Sequence, residues 1–117
     1  MFSPSGSFLA TSRYSYTDRA LTLRLYELET MTKTQSVVMP GMRRALCFSV
    51  SPDSEQLAVG YYRGNIRLVQ SDDFSIQRDL NLRGESSNAA VLSVAFDPNC
   101  RVLACGYRDG TVELRTL

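Results

Sequence analysis

The sequence predicts an all-β fold built from repeated four-stranded antiparallel sheets. Three observations predict it. A segment occurs twice, 46 residues apart: residues 57–68 match residues 103–114 without a gap, with six of twelve positions identical, and Pro52 matches Pro98 at the same offset. A looser third copy lies upstream, where residues 2–10 match residues 50–58. No apolar period of 3.6 residues persists anywhere; short alternating runs are separated by Gly, Pro, Asn, Asp and Ser, as strands and turns are. Repeats of 40-odd residues made of short strands mark propeller blades. The expected architecture is a partial β-propeller of about two and a half four-stranded antiparallel blades. The expected blades are a partial first at 1–39, a second at 40–82 and a partial third at 83–117.

Each element follows from local chemistry. In the first blade Phe2 stands where an inner strand ends, and residues 8–12 form the next strand. Residues 13–20 read as a turn, longer than its counterparts in the other copies. Residues 21–26 alternate apolar and polar, residues 35–39 are the candidate outer strand, and Pro40-Gly41 breaks the chain. In the second blade residues 45–50 are a strand, Ser51-Pro52-Asp53-Ser54 a turn, and residues 56–61 a strand. Arg63-Gly64-Asn65 is a hairpin, residues 66–69 a strand, residues 74–82 an outer strand and residues 84–90 a polar loop. The third blade is clearest. Residues 91–96 are an apolar strand, and Asp97-Pro98-Asn99-Cys100-Arg101 supplies turn residues, with Pro presetting φ. Residues 102–107 form the next strand. Arg108-Asp109-Gly110 is a hairpin turn because Gly accepts positive φ, and residues 111–117 alternate again.

The run Val94-Ala95-Phe96-Asp97-Pro98-Asn99, then Leu103-Ala104-Cys105-Gly106, then Asp109-Gly110-Thr111-Val112, resembles a WD repeat. In that family an inner strand leads through a Ser-Pro-Asp-Gly-type turn to a Leu-Ala-Ser-Gly strand. A Ser-x-Asp-Gly turn and a strand ending in Trp-Asp follow. Phe2-Ser3-Pro4-Ser5-Gly6 and Ser51-Pro52-Asp53 match the same turn, and the resemblance covers nearly the whole chain. The signature is degenerate. Trp-Asp is replaced by Tyr26-Glu27, Val69-Gln70 and Arg115-Thr116, and the Gly-His pair by Gly41-Met42 and Gly84-Glu85. Of the family's Asp-His-Ser/Thr-Trp network only Asp109 remains, so these blades are expected to be held less rigidly than consensus ones.

Composition excludes several functions. The chain has no His, which removes Ser-His-Asp and Cys-His catalysis and the commonest metal ligand. A formal net charge of +1 gives no global field for nucleic acid or a membrane. Asp109 is expected to accept hydrogen bonds within its own turn, and Asp72-Asp73 to form a solvated turn, since no third ligand is near. No cofactor, metal or catalytic residue is assigned, and an enzyme is not expected. Cys47 and Cys105 fall in apolar strands and Cys100 in a turn. Three cysteines without a pairing pattern fit a reducing compartment, taken as the cytoplasm with the nucleus left open. The N-terminus has no basic start or apolar core of a signal peptide, and no apolar run reaches the length of a membrane span.

The resemblance implies a non-catalytic platform for protein–protein interaction. It also implies that the turns between second and third strands, and the loops between blades, share one rim. Those segments carry Arg13, Arg19, Arg43, Arg44, Arg63 and Arg108, with Tyr14, Tyr16, Tyr61, Tyr62 and Tyr107. Their acids are Asp18, Glu85 and Asp109, whereas the opposite rim carries Glu27, Glu29, Asp53, Glu55, Asp72, Asp73 and Asp97. Arg and Tyr are enriched at binding hot spots. The candidate partner-binding set is therefore Arg13, Tyr14, Arg19, Arg43, Arg44, Tyr62, Arg63, Tyr107 and Arg108, and the expected partner is a protein, as an acidic or phosphorylated peptide. The plainer reading makes Tyr61 and Tyr107 strand-end packing residues and the arginines solvated. The alternative function is structural: blades of a larger propeller, or a fragment, with no binding site of its own. Self-association through open blade edges is expected in the isolated chain.

Overall fold

The computed structural model describes residues 1–15, 20–39, 45–73, 75–80 and 89–117. The described residues contain ten strands and no helix. They are β1 (Phe8–Ser15), β2 (Ala20–Glu27), β3 (Thr32–Met39), β4 (Ala45–Val50), β5 (Gln56–Tyr61), β6 (Ile66–Gln70), β7 (Ile76–Leu80), β8 (Val91–Phe96), β9 (Val102–Tyr107) and β10 (Val112–Thr116). They form three antiparallel sheets, ordered β1-β2-β3, β4-β5-β6-β7 and β8-β9-β10. Phe2 adds an isolated bridge to Leu9 at the edge of the first sheet.

One element departs from expectation. Of the turn expected at 13–20, residues 13–15 and 20 are strand, and residues 16–19 lie outside the described residues: β1 runs on to Ser15 and β2 begins at Ala20, with Arg13 opposite Thr22, Tyr14 opposite Leu21 and Ser15 opposite Ala20. Residues 13–15 and 20 lengthen the β1–β2 ladder. Antiparallel pairing simply continues where both strands offer β-compatible residues.

The three turns that follow the repeat's proline-bearing motif share one hydrogen-bond pattern. Ser3, Ser51 and Asp97 each accept through their carbonyl from the amide three residues on, at 2.9, 2.8 and 3.1 Å. Each also accepts through its side chain from the amide five residues on: Phe8 N to Ser3 Oγ 3.0 Å, Gln56 N to Ser51 Oγ 3.0 Å, Val102 N to Asp97 Oδ1 2.7 Å. The position two after the proline is left-handed in all three, at φ 75° for Gly6, 62° for Ser54 and 58° for Cys100. Glycine adopts that region freely; Ser54 and Cys100 are held there at a cost. The hairpins at the other end use glycine, Gly64 at φ 89° and Gly110 at φ 86°.

The sheets stack face to face. Ala10 and Leu25 of the first sheet pack with Val50, Leu57, Val59 and Tyr61 of the second. Ala58, Ile66, Leu68 and Leu80, on the other face of the second sheet, pack with Val91, Leu103, Cys105 and Tyr107 of the third. β5 is therefore buried on both faces, with large residues one way and small ones the other. A Cβ on Gly60 would lie 2.6 Å from Val91 Cγ1 and 2.7 Å from Cys47 Sγ. The missing side chain is what lets β8 approach β5.

Two sets of variants test this account by urea melts at low protein concentration. Gly60→Ala loses roughly 1–3 kcal/mol through overpacking. Gly106→Ala, whose Cβ would meet only the Ser93 side chain with Oγ at 2.6 Å, stays within about 1 kcal/mol of neutral because a hydroxyl can rotate away. Equal losses at the two glycines contradict the stacking. In the turns, Cys100→Gly gains roughly 0.5–1 kcal/mol by relieving the left-handed thiol-bearing residue, and Gly110→Val loses about 1 kcal/mol or more. A neutral Gly110→Val means that its turn relaxes without cost.

Candidate functional site

The β5–β6 turn and the β9–β10 turn occupy matching places in neighbouring sheets. Tyr61 N donates to Asn65 O at 2.9 Å and Gly64 N to Tyr61 O at 3.1 Å; Tyr107 N donates to Thr111 O at 2.9 Å and Gly110 N to Tyr107 O at 3.0 Å. Strand alternation then decides which tyrosines face solvent. Tyr61 and Tyr107 end their strands inside the two interfaces, Tyr107 only 4% exposed. Burial pushes the Tyr61 hydroxyl up to about 12. Tyr62, one residue on, is exposed, as are Arg63 and Arg108. The Arg108 guanidinium lies 5.7 Å from the centre of the Tyr62 ring, a cation–π contact between adjacent sheets.

The candidate residues thus divide. Tyr62, Arg63 and Arg108 are brought together on two neighbouring turns, and Arg13 is exposed on β1, opposite Thr22 and two residues before the strand's end. Tyr107 is buried beneath them. Tyr14 lies on β1, its side chain outside the described set, and Arg19, Arg43 and Arg44 lie outside the described residues. The Tyr62–Arg108 contact went unforeseen, although the two occupy the same repeat position.

The acids behave differently. Asp53 Oδ1 accepts from Glu55 N at 3.0 Å, Asp73 Oδ1 from Ser75 N at 2.9 Å and Asp109 Oδ1 from Thr111 N at 3.0 Å. Asp97 accepts from Asn99, Arg101 and Val102 amides at 3.2, 2.6 and 2.7 Å. The bond from Ser51 holds the Asp53 carboxyl below its ordinary value, the Ser75 amide does so for Asp73, and the Val102 amide for Asp97. These carboxylates hold their own turns. Among the described residues the one ion pair is Arg67–Asp79, at 2.6 Å between β6 and β7. Cys47 and Cys105 line the second interface, and burial pushes both thiols up to about 11, which leaves them protonated and poorly nucleophilic at neutral pH.

Residues 77–114 match the family model of the WD domain, G-beta repeat. This chain carries a WD repeat. The matched stretch begins in β7 and ends in β10, so the family's unit closes one sheet and builds most of the next. The sheets of three and four strands are those of partial propeller blades, and a WD repeat is a protein-interaction scaffold, generally without catalysis. Over 68 residues the chain is 34% identical to Telomerase protein component 1 of Mus musculus and 32% identical to that of Rattus norvegicus. Each match covers 58% of this chain and 2% of the relative. It is 37% identical to the Probable cytosolic iron-sulfur protein assembly protein 1 of Eremothecium gossypii, over 58% of this chain and 20% of that protein. The matched region is a small part of each relative. No helix of the described residues is long and apolar enough to cross a membrane.

The acid rim sets a pH dependence. Because Asp53, Asp73 and Asp97 titrate lower in the folded chain than when unfolded, the unfolded chain takes up protons first as pH falls. Their stabilisation is full above the unfolded value, near 3.9, and is lost as pH drops through the folded values. The melting temperature is expected to be flat from neutral pH down to about 5 and to fall below about 4. Asp97→Asn should flatten part of that fall; an unchanged acid profile in this variant counts against the turn-holding role.

Proposed function

We propose that the Tyr62, Arg63, Arg108 rim binds a protein partner through an acidic or phosphorylated peptide segment. The observation that carries this reading is the Tyr62–Arg108 contact beside exposed Arg63. A ring-braced guanidinium keeps its donor edge available, and Arg donors match carboxylate or phosphate oxygens in bidentate fashion. Arg13 extends the same cationic rim, and Arg19, Arg43, Arg44 and Tyr14 belong to it by repeat position. The relatives are named a telomerase protein component and an iron–sulfur protein assembly protein; the first name suits a chain that works as part of a larger assembly. The cytosolic label of the latter suits a cytoplasmic location. The chain acts as a platform, not an enzyme.

A second reading makes the chain a structural wall of blades at 1–39, 40–82 and 83–117. Exposed Val112 and Leu114 on β10 favour it.

The test is fluorescence anisotropy with a labelled Glu-rich peptide, with and without one phosphoserine, across a salt series. Binding weakens as salt rises. Arg63→Glu/Arg108→Glu abolishes it while the thermal melt stays unchanged. If binding survives that double change with the same salt dependence, the rim is solvated surface and the structural reading stands.

A further inference from the structure

Two leucines break the alternation of their strands at the same repeat position. On β4, Ala45 pairs with Tyr61 and Cys47 with Gly60, so Leu46 has no partner across the ladder. On β8, Val91 pairs with Tyr107 and Ser93 with Gly106, which leaves Leu92 without one. Each is the extra residue of a β-bulge, and the packing records it. Ala45 and Phe48, three apart, pack in the first interface, whereas Cys47 packs in the second. Val91 and Val94, also three apart, both pack in the second interface. In an unbroken strand an odd separation puts two residues on opposite faces. A bulge re-aims a side chain, and here it turns one leucine per sheet outwards. Leu46 is 39% and Leu92 49% exposed. Leu46 stands in the middle sheet, both of whose faces are covered, so its exposure comes from the bulge and not from an open face.

Both leucines stand at the rim end of their strands. Leu46 follows Ala45, the partner of Tyr61, and Tyr62 comes next in that turn. Leu92 lies two residues after Ala90, whose carbonyl accepts from the Arg108 amide at 2.9 Å. The two strands adjoin there. The Cys47 thiol donates to the Val91 carbonyl at 3.5 Å, and each leucine is one residue from that contact. Leu46, Leu92 and the exposed Tyr62 ring therefore supply apolar surface beside Arg63 and Arg108. Single exposed leucines are ordinary on a protein surface; two at one repeat position on adjoining strands, with a ring beside them, make a patch.

We propose that Leu46 and Leu92 anchor one bulky apolar side chain of the rim's partner, so that the partner segment is an acidic peptide carrying an aliphatic or aromatic residue among its acids. This rests on the reading of the rim as an acidic-peptide site and adds the other half of its chemistry. Arg63 and Arg108 favour carboxylates or phosphates, groups that bring charge and bury little apolar area. The leucines take up a side chain that would otherwise stay in water. Binding surfaces combine an apolar centre with polar surroundings in this way. The two contributions answer differently to salt: ion pairing is screened, and apolar burial is not weakened.

The experiment compares two labelled peptides on the full chain by fluorescence anisotropy, at low and high salt. One is Glu-rich with a single serine; the other has leucine in that place. Moving the substituted position along the peptide finds the register. At the best register the leucine peptide is expected to bind about tenfold or more tightly than its serine counterpart, a ratio kept as salt rises. Leu46→Ser/Leu92→Ser removes that ratio and leaves the serine peptide's affinity and the thermal melt unchanged. Should that variant melt early, the strand-compatible Leu46→Thr/Leu92→Thr replaces it. Equal binding of the two peptides at every register, or a ratio that persists in the leucine variants, overturns the proposal and leaves the rim reading standing. If the serine peptide fails to bind, or binds as well to Arg63→Glu/Arg108→Glu, the rim reading itself fails and the proposal falls with it.

Discussion

β5 is buried on both faces, and the rest of the molecule is arranged around that. Leu57, Val59 and Tyr61 fill the first interface, whereas Ala58 and Gly60 leave room in the second for Val91 to approach. A strand with large residues on both sides would hold its neighbours apart; one with small residues on both would bury too little. Each fully buried large side chain contributes roughly 1.5–3 kcal/mol, so most of the packing energy lies between sheets and little within any one of them. Stability is then a nearest-neighbour property, as in stacked repeats. The middle sheet has two neighbours, and each outer sheet has one.

The two rims divide the remaining work. At the acidic end, Ser3, Ser51, Asp53, Asp73 and Asp97 accept from backbone amides of their own turns, and the turns also touch across sheets. Ser5 N and Ser54 Oγ are 3.2 Å apart, and the Cys100 thiol sits against the Asp53 carboxylate one repeat later. At the other end the turns are held by main-chain bonds, by glycines at positive φ and, in the β9–β10 turn, by the Asp109 carboxylate, so the side chains of Tyr62, Arg63 and Arg108 are not needed to build them. The positions of Tyr62, Arg63 and Arg108 can therefore vary for recognition without loss of fold.

Much of the fold was legible in the sequence because its period is explicit. Alternation located β4–β6 and β8–β10 closely, and Asp109-Gly110 and Gly64 marked their hairpins because only a residue tolerant of positive φ fits there. The extension of β1 and β2 was not legible. Arg13, Tyr14 and Ser15 are polar and read as loop, yet an antiparallel ladder needs β-compatible backbones more than apolar side chains. The left-handed Ser54 and Cys100 were missed because nothing in their own chemistry signals the strain; only alignment with Gly6 does. Of the site, the cationic character of the rim was readable, but the contrast between buried Tyr107 and exposed Tyr62 follows from one step of strand alternation, and the Tyr62–Arg108 contact depends on how two sheets are juxtaposed. Arg19, Arg43 and Arg44 lie outside the described residues.

Four of the identical pairs between the two copies of the repeat lie where sheets pack, although Val59 and Cys105, buried at matching positions, differ. Leu57 and Leu103, Ala58 and Ala104, Gly60 and Gly106, and Tyr61 and Tyr107 keep the same residue, and each pair sits at a strand face or end that stacking uses. Tyr62 and Arg63 against Arg108 and Asp109 differ, and these are the rim. Leu68 and Leu114 are the instructive pair. They are the same residue at the same register position, buried in one sheet and open in the other. Leu114 carries the residue that its counterpart uses to hold a neighbouring sheet, so the register of the repeat, more than local exposure, accounts for an apolar residue there.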